Sequence, residues 1–308
     1  MSLNLLKNSV QLAKERQLKN QKEETFPLRK LSKKEQQLKK QQNHWDEGAI
    51  DEFMHNNSNS GIELKLNNKN RLIFFATPED MSNETKTQTI ANQTDLILEW
   101  LGCSDITVNL WWRDDPRLLD STEWPTRRNV NGGWTTIGHN EVFVYRSEEW
   151  DRVLIHEMIH AMEWDWKHMP TTPLSCWNFK KTDIVSPSIF EAWTELYAEW
   201  LWCAFHNIDW DIQRNYQEKQ ALQIIARSNE RNGDWKENTN VFAYYILKTA
   251  LAPHIEFLWM FGNGKTADER AMVLCGLVEP ELTRLRKKAS YDNGIVPEKI
   301  SLRMTVSI

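Results

Sequence analysis

A chain of 308 residues, 40% of them hydrophobic, can build one large domain or two lobes sharing a cleft. Its four cysteines form no C-x-x-C pair, which argues against a disulfide framework and a thiolate zinc centre. With no apolar signal core and no run near the ~20 apolar residues of a membrane span, the expected compartment is the cytoplasm.

The net charge of -5 is unevenly spread, because residues 1–42 hold eleven Lys/Arg against four Glu. Residues 1–45 are rich in Lys, Gln and Glu and poor in aromatics, a composition that predicts a basic, flexible or transiently helical arm. Such an arm is either a solvated extension or a contact for a polyanion or an anionic membrane surface.

Beyond the arm, residues 62–66 and 71–76 flank Asn67-Asn68-Lys69-Asn70 and read as two strands joined by a turn. A helix follows over 85–101, with Ile90, Leu96, Ile97, Trp100 and Leu101 as its apolar stripe. Residues 106–112 form a strand ended by Asp114-Asp115-Pro116. The glycines of 130–138 read as a turn, and 141–146 alternate as a strand. Ser147, with Glu148 and Glu149 after it, suits the N-cap of a helix running to Trp164. After an irregular connection at 167–186, Ser188-x-x-Glu191 is a capping box opening a tryptophan-rich helix to Phe205. Further helices are predicted at 212–228, 239–251 and 267–287. The fold class is α+β: an α/β lobe over 46–166 with a small sheet, and a helical lobe over 167–308.

The helix after residue 147 carries His156-Glu157-Met158-Ile159-His160. Four residues make 400° of helical turn, so the two imidazoles stand on one face and can share a Zn²⁺ ion. Glu157 lies about 100° round the axis, out of easy reach of the ion but within reach of a water in its open position. These are the parts of a peptide-bond hydrolase in which Glu157, as general base, takes a proton from a metal-activated water.

A catalytic zinc needs a third protein ligand. Glu163 shares the histidine face and is a rival ligand or an outer-shell group. The stronger candidate is in the next helix, where Glu191, Glu195 and Glu199 recur every four residues on a largely apolar element. With Glu191 absorbed by the capping box, Glu195 is the expected ligand, and Glu199 the carboxylate that accepts the N–H of a zinc-bound histidine. A solvated acidic stripe is the plainer alternative. Most of the sixteen tryptophans are expected in the core.

HEMIH followed on a later helix by E-L-Y-A-E resembles the gluzincin metallopeptidases, above all the E-x-x-A-E form of the anthrax lethal-factor type. The stretch 141–166 is also similar to uncharacterised metallopeptidases of large DNA viruses, which would place the chain in a virion or host cytoplasm. The likeness covers about residues 130–200, although the 35 residues from His160 to Glu195 exceed the thermolysin-like spacing. It implies a zincin-like fold with the active-site helix between the lobes and a peptide or protein substrate. It also implies that 141–146 is the edge strand pairing with that substrate, and that a tyrosine or histidine stabilises the oxyanion. For that last role Tyr244, Tyr245 and His254 are available, with Tyr245 preferred. The competing function is a zinc-binding, non-catalytic structural or interaction protein whose basic arm docks on a polyanion.

Overall fold

Alternating apolar residues in the first half of the chain assemble into a mixed sheet, and the second half is mostly helical. The computed structural model describes residues 2–20, 25–40, 48–56, 60–120, 125–165, 188–230, 239–261, 267–291 and 299–307. The expected irregular connection at 167–186 lies outside them.

The strands are β1 (Leu28–Lys30), β2 (Ser60–Lys65), β3 (Arg71–Ala76), β4 (Thr107–Trp111), β5 (Leu118–Asp120), β6 (Gly133–Thr135), β7 (Glu141–Val144) and β8 (Lys299–Ser301). The helices of eight residues or more are α1 (Leu3–Asn20), α2 (Lys33–Lys40), α3 (Ala49–Asn56), α4 (Glu84–Trp100), α5 (Trp150–Ala161), α6 (Ile189–His206), α7 (Trp210–Glu230) and α8 (Ala267–Tyr291). The fold class is α+β, as the sequence indicates. The chain divides into two compact units: residues 4–115 with 131–162, and residues 1–3 with 116–130 and 163–308.

The first unit holds a six-stranded sheet in the order β1-β2-β3-β4-β7-β6. Strands β1 to β3 are antiparallel neighbours, β3–β4 and β4–β7 are parallel, and β6 runs antiparallel to β7. The β2–β3 turn fits its asparagines, since Asn68 takes a left-handed φ of 53° and the Asp95 carboxylate accepts from Asn67 N at 2.9 Å and Asn67 Nδ2 at 2.7 Å. One face of the sheet carries an aromatic ladder across four strands. Phe75 stacks on Trp111 at 4.9 Å, Trp111 on Phe143 at 6.1 Å, and Phe143 on Trp134 at 3.9 Å. Ile50, Phe53 and Met54 of α3 cover that ladder.

Two elements form within residues 1–45, where the sequence leads one to expect a flexible arm. In α1, Leu6, Val10 and Ala13 are buried at helical spacing, and Ser9 Oγ accepts a hydrogen bond from Trp100 Nε1 at 2.9 Å. Burying Leu6 and Val10 gains about 1.5–3 kcal/mol each. In β1, Leu28–Lys30 adds an outer strand to β2. A composition dominated by Lys and Gln conceals this sparse apolar stripe.

In the second unit β5 and β8 pair antiparallel, and Trp193, Trp200 and Trp202 of α6 are buried, Trp193 stacking on Tyr197 at 5.7 Å. Among the described residues no helix is long and apolar enough to cross a membrane.

Burial pushes the Cys103 thiol up to about 12, whereas Cys275 is only half-buried. Because the thiolate is the reactive form, iodoacetamide at pH 8 should alkylate Cys275 well before Cys103 in the folded protein. Equal labelling rates, read by peptide mass spectrometry, would contradict the burial of Cys103.

Candidate metal centre

Helix α5 opens at Trp150, later than Ser147 suggests. Its N-cap is Glu149 in a left-handed conformation (φ 57°), without a side-chain cap. Ser147 Oγ instead donates to Arg113 O at 2.8 Å, a long-range bond that local sequence does not announce. The helix ends at Ala161, so Glu163, at φ 57° and exposed, lies beyond it rather than on a continuing helical turn.

Every residue of α5 is buried, and His156, Glu157 and His160 are only 7%, 5% and 8% exposed. The Nε2 atoms of His156 and His160 stand 3.1 Å apart, with the rings inclined at 74°. Two nitrogens bound to one zinc at about 2.0–2.1 Å in near-tetrahedral geometry have almost this separation, so the pair fits a shared cation.

Glu157 faces the sheet. At Gly133 in β6 an added Cβ would lie 3.0 Å from Glu157 Cγ, 2.6 Å from Val153 Cγ1 and 2.7 Å from Phe143 O. Glycine is therefore required for close approach of strand and helix. The expected edge strand, 141–146, is interior as β7, between β4 and β6; the outer strand is β6, whose Asn-Gly-Gly lead-in reads as a turn. Gly133→Ala should cost about 1–3 kcal/mol and displace Glu157, a loss readable by thermal denaturation. An unchanged melting temperature would contradict this packing.

In the second unit, Ser188 Oγ accepts from Glu191 N at 3.2 Å, forming the N-cap of α6 that the sequence indicates. The cap engages the backbone of Glu191, while its half-buried carboxylate accepts from Tyr244 OH at 3.2 Å. Glu195 and Glu199 follow at one-turn intervals, 2% and 0% exposed.

Within the first unit, His156 and His160 stand together as a pair that could contribute two nitrogens to a metal ion. Glu195, the ligand expected from the sequence, and Glu191 both belong to the second unit. Glu199, expected to support a histidine, makes a buried ion pair with Lys248 Nζ and accepts from Gln213 Nε2 at 3.2 Å and from Gln217 Nε2. Tyr245, expected as oxyanion donor, instead donates its hydroxyl to Leu302 O at 2.6 Å. Both tyrosines belong to a π-helical stretch, Phe242–Leu247, whose wider turn no sequence periodicity distinguishes from an α-helix. That is why the contact between Tyr244 and Glu191 was not legible.

Lys248 and Glu199 are 1% and 0% exposed at their side chains, so each charge depends on the other. Lys248→Met should destabilise the protein by about 3–5 kcal/mol, because a buried carboxylate loses its cation. Adding Glu199→Leu should recover most of that loss in urea denaturation. A double variant as unstable as the single one would contradict the pairing.

Comparison with protein-family models, with curated proteins and with solved structures gives no match.

Proposed function

We propose that the chain is a zinc-dependent metallopeptidase of zincin-like architecture. The observation that carries this reading is the pair of buried imidazoles with Nε2 atoms 3.1 Å apart, one residue from a buried glutamate beside a sheet edge. His156 and His160 supply two ligands, and a glutamate of α6, Glu195 as the sequence suggests or Glu191, whose carboxylate accepts from the Tyr244 hydroxyl, is proposed as the third. Zinc bound there would supply a Lewis acid that polarises a peptide carbonyl and acidifies water.

Glu157 holds the mobile proton. Its carboxylate takes it from the attacking water and passes it to the nitrogen of the leaving amine. Strand β6 offers the main-chain groups of a sheet edge to an extended peptide, which would run past Glu157. The substrate class is therefore a peptide or protein in extended conformation.

Protein purified without added zinc should contain about one zinc per chain, by analogy with catalytic His₂-carboxylate sites. His156→Ala should abolish binding, whereas Glu157→Gln should retain the metal and lose cleavage of a peptide library. Of Glu191→Gln and Glu195→Gln, the one that removes the third ligand should weaken zinc binding by at least about tenfold. Zinc binding unchanged in both variants, or protein without stoichiometric metal, would contradict the proposal.

A further inference from the structure

The C-terminal residues of the second unit are held in the manner of a bound peptide. Strand β8 pairs with β5 in the register Leu118↔Ser301, Leu119↔Ile300 and Asp120↔Lys299. Beyond it, side chains take over the role of a neighbouring strand. Gln220 Nε2 donates to Ser301 O at 3.1 Å and also to Arg303 O; Tyr245 OH donates to Leu302 O at 2.6 Å and Tyr216 OH to Arg303 O at 3.3 Å. Gln213 bonds twice, its Nε2 to Met304 O at 2.7 Å and its Oε1 to Val306 N at 3.1 Å. The backbone of Arg117 adds one more bond, accepting from Leu302 N at 2.6 Å.

All these bonds address the main chain of the tail, so they place no demand on its side chains. Selectivity comes from alternate positions, Ile300, Leu302 and Met304, which are 1%, 0% and 2% exposed. Backbone bonds along the peptide with pockets for every second residue are the hallmark of extended-peptide recognition. Gln213, Tyr216 and Gln220 sit at i, i+3 and i+7 on α7, forming one polar stripe, and Gln213 and Gln220 are 0% and 4% exposed. Buried amides without partners would be costly, so this face of α7 is suited to an extended backbone lying along it.

We infer that α7, Tyr245 and the edge of β5 form a peptide-recognition groove within the second unit, and that its occupant is the chain's own segment of residues 299–307, acting as a detachable ligand. The groove accepts an extended segment with apolar residues at every second position. Because Gln213 also donates to Glu199 Oε2, occupancy of the groove supports the buried Glu199–Lys248 pair and through it α6. None of this rests on the peptidase reading.

The test uses the full chain carrying a specific protease site within residues 292–298, cut after folding. The cut chain should retain its tail on gel filtration and exchange it for a fluorescent peptide of residues 299–308. Leu302→Asp with Met304→Asp in that peptide should abolish binding, whereas Ser307→Ala should leave it unchanged within about twofold. If cutting lowers the helical circular dichroism, added wild-type peptide must restore it. A tail that never exchanges, a released tail that fails to rebind, an aspartate peptide that binds equally well, or a cut chain that the peptide does not refold would each overturn the inference.

Discussion

The candidate site depends on one constraint: two imidazole nitrogens held 3.1 Å apart within a helix that solvent scarcely reaches. Two neutral rings can satisfy this contact only if one donates and the other accepts, whereas a cation satisfies both lone pairs at once. Helical geometry brings the rings together, and the sheet buries the helix. Gly133 allows β6 to lie against α5 beside Val153 and Glu157, and the stack from Phe75 to Trp134 ties that strand to the sheet core.

What was legible in the sequence was local. The histidines and Glu157 lie within five residues of one helix, the asparagine turn between β2 and β3 is set by its own backbone, and the cap at Ser188 spans three residues. What escaped depended on distant partners. The two bonds of Asp95 to Asn67 cross 28 residues, the Ser147 hydroxyl bonds to Arg113, and β6 is a strand because β7 and α5 accept it despite its glycines.

Glu191 shows why elimination by local motif is fragile. Reading it as a capping residue accounts for its backbone N–H alone, and leaves the carboxylate available to Tyr244. Glu199 shows the converse, since its place in a periodic acidic stripe gives no hint of the lysine 49 residues away that neutralises it. Glu191 and Glu199 share one periodic stripe, yet their long-range partners, Tyr244 and Lys248, differ. Residues 299–304 make the same point at larger scale, because the alternation at Ile300, Leu302 and Met304 is too short to identify as a strand.

The central claim is that the nitrogens of His156 and His160 bind one cation together. Nitrogen-15 NMR of the protein labelled at histidine, followed as zinc is added to metal-free protein, observes those atoms directly. The account expects the Nε2 resonances of both residues to move in step and saturate at one equivalent, while those of the exposed histidines stay in place. Movement of only one ring, or of neither, would contradict it.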